Sequence, residues 1–324
     1  MTQTVNEKGS PERPTLETVR AAARRLHGRI NATPVLRSRS LDQQVGARVL
    51  FKCENFQRVG AFKARGATNA VFSLDEATAG RGVATHSSGN HGAALALAAA
   101  ERGIPAWVVV PDNAARVKRD AVVRYGAQVV DCGAGMTQRE EGLARVVAET
   151  GASVVHPYDD YSVIAGQGTA ALELLEDHPE IEVLLTPVGG GGLLSGCALV
   201  ARGLPGTVKV IGCEPAGADD AQRSFRSGQR VIMDSPDTIA DGLRASLGER
   251  NFALIRELVD DIVTVEEAQM VDAMRLVWER MKIIIEPSAA VPVAAILNGA
   301  IDIRDRTVGV ILSGGNVDLE RLPW

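Results

Sequence analysis

Cysteine is scarce in this chain and scattered: Cys53, Cys132, Cys197 and Cys213 are all it has, with no C-x-x-C pair. That spacing suggests neither a zinc site nor a disulfide framework, and a reducing cytoplasm is the expected setting. Long apolar runs are missing too. The most apolar short stretch, Ala93–Ala100, is far too short to span a bilayer, so no membrane partner is expected. The first ten residues, M-T-Q-T-V-N-E-K-G-S, contain no apolar h-region, and nothing there marks the chain for secretion. Basic runs are absent and the formal net charge is -5, which argues against a nucleic-acid surface. No internal repeat or low-complexity linker divides the sequence.

What is present is ordinary for an α/β protein: 45% hydrophobic, 23% charged, with glycine high at 33 residues. The 324 residues are enough for two domains, each with a full core. Polar residues 1–14 are expected to be disordered or loosely docked. Thr15–Leu26 has its apolar residues at helical spacing. Short apolar strands then alternate with helices: Arg48–Phe51, Val83–Thr85, Ala106–Val110, Gln128–Val130, Ser153–Val155, Val183–Leu185, Val208–Cys213, Ile262–Val265 and Val308–Leu312. Helices are expected over Ala93–Arg102, Ala114–Tyr125, Gln138–Glu149, Ala165–Glu176 and Glu266–Met281. This alternation implies parallel sheets covered on both faces, with ligands bound beyond the carboxyl ends of the strands.

The chain is organised around Glu54–Ala67, in which Lys63 stands between Phe62 and Ala64 at the start of a predicted helix. A lysine desolvated there has a lowered pKa, and its neutral amine can condense with a carbonyl. A snorkelling lysine at a helix end is the plainer reading of that residue alone. Four consecutive glycines, Gly189, Gly190, Gly191 and Gly192, follow one strand and precede a helix, leaving bare N–H groups for a phosphate. This is neither a Walker loop nor a dinucleotide fingerprint. Ser87, Ser88, Gly89, Asn90 and His91 also join a strand to a helix, offering hydroxyls and N–H groups to a carboxylate or ring edge. A helix N-cap explains them equally well. Ser313, at the end of the last strand, can offer one hydroxyl to one ring nitrogen.

Taken in order, G-A-F-K-A-R-G-A, H-S-S-G-N-H, V-I-A-G-Q-G-T, P-V-G-G-G-G-L, E-P-x-x-A-D-D, I-E-P-S and L-S-G-G-N closely resemble the fold-type II pyridoxal-phosphate enzymes. Within them the chain is similar to the branch of serine racemases, serine/threonine dehydratases and 3-hydroxyaspartate dehydratases. The resemblance runs from about Thr33 to the C-terminus. It implies a tryptophan synthase β-like α/β fold of two domains, each a mostly parallel open sheet covered by helices. Residues 1–75 and 160–324 would form the large cofactor-binding domain, and 76–159 a small substrate-closing domain. A homodimer is expected.

The resemblance also implies roles. Lys63 would carry the cofactor, with Phe62 packed on its ring. Gly189, Gly190, Gly191, Gly192 and Leu193 would cradle its phosphate. Asn90 would reach the ring hydroxyl and Ser313 the pyridine nitrogen, with Glu286 near the cofactor. A carboxylate at a helix N-terminus accounts for Glu286 nearly as well. Ser88 resembles a second acid/base opposite Lys63. Ser87, Ser88, Asn90 and His91 would line the amino-acid substrate, and Arg139 would pair a second substrate carboxylate, although an exposed helix arginine is an equal reading. Glu214, the Ala218 carbonyl and Asp220 match a divalent-cation site, suited to Mg²⁺. Tyr158 and Ala245 depart from the racemase pattern toward that of the dehydratases. The expected activity is β-elimination from serine, threonine or 3-hydroxyaspartate to a keto acid and ammonia. The alternatives are a serine racemase and a non-catalytic binding or regulatory protein on the same fold.

Overall fold

The computed structural model describes residues 13–87, 89–112, 116–133 and 135–324. Among the described residues, ten strands form two sheets. Their ranges are β1 Val35–Leu36, β2 Arg48–Cys53, β3 Val83–His86, β4 Ala106–Pro111, β5 Gln128–Cys132, β6 Ser153–Val154, β7 Val183–Pro187, β8 Lys209–Pro215, β9 Asp261–Val265 and β10 Thr307–Leu312. The larger sheet runs β1-β2-β10-β7-β8-β9 and the smaller β5-β4-β3-β6. Every pairing is parallel except the short β1–β2 ladder.

The larger sheet is apolar on both faces, as its unbroken Val/Leu/Ile strands require. Val49, Phe51, Leu185 and Val310 point to one side, where Met270, Met274, Ala290 and Ala294 from the helices Glu267–Met281 and Pro287–Leu297 cover them. Leu50, Leu184, Val210 and Ile311 point to the other side. There they meet Val19, Leu172, Leu175, Leu194 and Ala198 from the helices Leu16–Leu26, Tyr161–Asp177 and Gly192–Gly203. Each large apolar side chain buried this way contributes about 1.5–3 kcal/mol before conformational entropy is deducted. The smaller sheet repeats the scheme, with Val108 and Val110 against Leu95 and Ala99, and Ala84 and Val109 against Leu143 and Val146.

Observed elements start or end a few residues from the expected ones. The start of the predicted helix Ala114–Tyr125 lies outside the described residues, and the helix is seen over Arg116–Arg124. The helix predicted from Ala165 begins instead at Tyr161, because the Asp160 carboxylate caps it by accepting from the N–H groups of Ser162 and Val163 at 2.7 and 3.2 Å. Gly166 and Gly168 weaken the local helical signal. Gly166 is there for packing: a Cβ on it would come within 2.7 Å of the Gly66 Cα on the lysine helix Lys63–Ser73. Short helices at Arg39–Val45, Asp220–Ser227 and Glu249–Leu258 were not foreseen.

Candidate active site

The loops at the carboxyl ends of β2, β3, β6, β7 and β10 gather around Lys63. It is the first residue of the helix Lys63–Ser73. Its Nζ donates to the Pro157 carbonyl at 2.7 Å, in the loop after β6. It also lies 5.0 Å from the centre of the Phe62 ring. Burial lowers its pKa to about 8, although the charge of Glu286 pulls it back up. Such an amine is a far better nucleophile near neutral pH than an exposed lysine.

The glycine loop follows β7 and opens the helix Gly192–Gly203. Gly191 has φ +91°, a conformation that L side chains resist. A Cβ at Gly190 would lie 2.3 Å from the Tyr158 ring, so the bare backbone is required there as well. N–H groups at a helix N-terminus have no intrahelical acceptor and face an anion readily. Leu193 follows them, with its side chain buried in the core.

Asn90 opens the helix Asn90–Arg102, whose N-cap is Gly89 with no side-chain cap. The Ser87 hydroxyl accepts from the Gly89 N–H at 3.3 Å. Ser88 lies outside the described residues. Asn90 Nδ2 donates to both Glu286 oxygens, at 3.0 and 3.2 Å. Glu286 sits at the N-cap position of Pro287–Leu297 but makes no capping bond, so its carboxylate is turned toward the site instead. Ser313 is buried beside Lys63, and its carbonyl accepts from the Phe62 N–H at 3.0 Å. Asn316, quoted in a motif but given no role by the sequence, contacts both Asn90 and Glu286.

Three histidines gather here, of which the sequence singled out only His91. Its Nε2 is 3.2 Å from the Val155 carbonyl, which can only accept, so Nε2 carries the proton. Burial holds His91 well below the usual range. His156 Nδ1 accepts from the N–H groups of Asp159 and Tyr158, at 2.8 and 3.3 Å, which puts its proton on Nε2. Burial, then the neighbouring His86, lowers its pKa to about 3. The His86 ring meets it edge-on at 5.7 Å and is also lowered, chiefly by burial. His86 ends β3 and His156 follows β6 by two residues, a position after a strand being the one signal that marks them in the sequence. Arg139, on the helix Met136–Thr150, is close enough to His86 for its charge to act on that imidazole.

The turn after β8 is separate. Glu214 is fully buried and accepts from the N–H groups of Ala221 and Gln222, both at 2.9 Å. Asp220 accepts from the Leu247 N–H at 3.0 Å. Burial raises Glu214 to about 9 and Asp220 to about 6. No group of three or more metal-ligating side chains occurs among the described residues. Two buried carboxylates beside the backbone of buried Ala218 are nevertheless the oxygen donors that a hard cation takes.

A partly desolvated amine bonded to the Pro157 carbonyl, with the adjacent Tyr158 ring packed on a glycine-lined helix terminus, is the arrangement of an enzyme that works through a phosphorylated aldehyde cofactor. The known proteins agree. The pattern of the pyridoxal-phosphate dependent enzymes matches residues 26–314, and the chain belongs to that family. It is 49% identical, over 96% of its length and 99% of the relative's, to the β-hydroxyaspartate dehydratase of Paracoccus denitrificans. A serine racemase of Arabidopsis thaliana is 48% identical over 94% of this chain and 93% of its own. Maize serine racemase superposes with a TM-score of 0.93 at 44% identity, covering 95% of each chain. The chain is therefore an enzyme.

Proposed function

We propose that the enzyme carries out β-elimination on a β-hydroxy amino acid, with 3-hydroxyaspartate the preferred substrate, giving a keto acid and ammonia. The observation that carries this reading is Lys63, an amine with a pKa of about 8 where the loops of both sheets meet. Its support is the 49% identity to a β-hydroxyaspartate dehydratase, together with Arg139 as partner for a second substrate carboxylate.

Pyridoxal phosphate, when bound, supplies an electron sink for the α-carbon. The N–H groups of Gly189 to Leu193 would hold its phosphate, Phe62 would pack on the ring, Asn90 would donate to the ring oxygen and Ser313 would meet the ring nitrogen. Lys63 Nζ takes the α-proton, the Cα–H electrons form the Cα–Cβ double bond, and the β-C–O bond breaks with its electrons on oxygen, which takes the proton back from the Lys63 ammonium and leaves as water. The freed enamine becomes an imine, which adds water and loses ammonia. Ser87 and His91 would line the substrate. The neutral His86 and His156 add no positive charge that would compete with Arg139. Residues 1–75 and 160–324 would act as the cofactor domain and 76–159 as the closing domain, in a cytoplasmic homodimer. Glu214, the Ala218 carbonyl and Asp220 would hold Mg²⁺.

Racemisation of serine is the second reading, favoured by Ser88 as acid/base on the opposite face and by the racemase relative. Tyr158 and Ala245 favour elimination. The test follows keto acid and D-amino acid together from L-serine and from 3-hydroxyaspartate, with pyridoxal phosphate and Mg²⁺ present. Keto acid should predominate, 3-hydroxyaspartate should have the higher kcat/KM, and Lys63→Ala should lose at least about 10³-fold. D-serine in excess of pyruvate would refute the reading.

A further inference from the structure

Asn316 belongs to the loop after β10, yet it bonds to three separate parts of the molecule. Its Nδ2 donates to the Val59 carbonyl at 2.7 Å, four residues before Lys63, and to Asn90 Oδ1 at 2.9 Å. Its backbone N–H donates to Glu286 Oε2 at 3.2 Å. The surrounding backbone is already fixed, with the Gly315 N–H on the Gly60 carbonyl at 2.9 Å and the Glu286 N–H on the Gly314 carbonyl at 3.0 Å.

These bonds settle which way the Asn90 carboxamide faces. An NH₂ group can only donate, so the Asn90 atom opposite Asn316 Nδ2 must be the oxygen. Asn90 Nδ2 is then left facing Glu286, where it finds two acceptors. Reversing the amide would set NH₂ against NH₂ on one side and oxygen against carboxylate on the other. Both contacts are repulsive. Asn90 is therefore held as a donor by a residue from a different sheet.

We propose that Asn316 is a positioning residue for cofactor retention, acting through Asn90. This rests on the pyridoxal-phosphate reading, because every oxygen of that cofactor is an acceptor near neutral pH and needs a donor that does not turn away. Asn316 itself is exposed, so a single bond of this kind supports an effect of about three- to tenfold.

The test titrates pyridoxal phosphate into the cofactor-free protein and reads the visible absorbance, for wild type, Asn316→Ala, Asn90→Ala and the double variant. Urea unfolding of each cofactor-free protein runs in parallel. Asn316→Ala should raise the Kd three- to tenfold. In the Asn90→Ala background it should change the Kd less than twofold, since the residue it acts through is gone. Asn316→Asp keeps the shape but loses the donor, and it should weaken binding at least as much. That variant also decides the matter if Asn316→Ala does not fold. A Kd within twofold of wild type for Asn316→Asp, or equal effects with and without Asn90, would overturn the proposal. A purely structural Asn316 would lower unfolding stability in both backgrounds without this non-additivity. Wild-type protein that gains no absorbance refutes the cofactor reading first, and this inference with it.

Discussion

Arg65 and Glu54 form a bidentate ion pair with neither side chain exposed, Nε to Oε2 at 2.7 Å and Nη2 to Oε1 at 2.8 Å. Arg65 follows Lys63 by two residues on the same helix, so this pair anchors the segment that presents the amine. Glu173 holds the guanidinium from the other side at 2.6 and 2.9 Å, and Lys52 joins Glu173 at 2.6 Å. Two cations and two anions close the charge balance.

Removing Arg65 leaves Glu54 charged, buried and unpaired. Arg65→Leu should cost about 3–5 kcal/mol in urea unfolding of the cofactor-free protein. A loss under about 1 kcal/mol would mean that the network is not what fixes the lysine helix.

If the proposed cation sits at the β8 turn, stability should depend on metal and pH together. Folding raises Glu214 to about 9 and Asp220 to about 6, above the ordinary 4.5 and 3.8, with burial the main cause. Without a cation the folded state therefore binds more protons than the unfolded one. Stability is full below the ordinary values and is lost as pH rises through about 6 and then about 9. Mg²⁺ bound there as proposed would pair the anions and should flatten that loss. Chelation should lower the Tm by on the order of 5 °C at pH 8 and much less at pH 5. An equal shift at both pH values, or none, would count against a cation on these carboxylates.

Arg139 should discriminate between substrates rather than drive the reaction. Arg139→Ala should cut kcat/KM for 3-hydroxyaspartate about ten- to a hundredfold, the worth of a hydrogen bond to a charged group, and change serine turnover less than about threefold. Equal losses on both substrates would place Arg139 in a general role.

Strand ends were the most legible feature of the sequence. Short Val/Leu/Ile runs ended by Gly, Ser, Asn or His mark where parallel strands stop; Gly189 and Ser313 follow such stops closely, while Lys63 and Asn90 open the helices after them. Helix starts set by one capping side chain were harder to read, as Asp160 shows. The Arg65 cluster could not be read at all. Its members Thr33, Lys52, Glu54, Arg65, Thr169 and Glu173 are spread along the chain, and each alone looks like a surface residue. Asn316 was hidden for another reason. Its importance lies in three partners brought together by chain crossings, and no local pattern encodes those.

The order β1-β2-β10-β7 in the larger sheet bears on how the enzyme is made. β2 has no parallel neighbour until β10 arrives, with Thr307 opposite Arg48 and Leu312 opposite Cys53. The Lys63 segment, held at Phe62 by the Ser313 carbonyl, thus waits for the first 313 residues to leave the ribosome. Such distant pairing is slow to close and leaves apolar strand edges open meanwhile. The smaller sheet, drawn entirely from residues 83–154, has its strands synthesised well before then. Folding of the nascent chain should leave the reactive lysine among the last groups set in place, so unfinished chains would carry no competent amine.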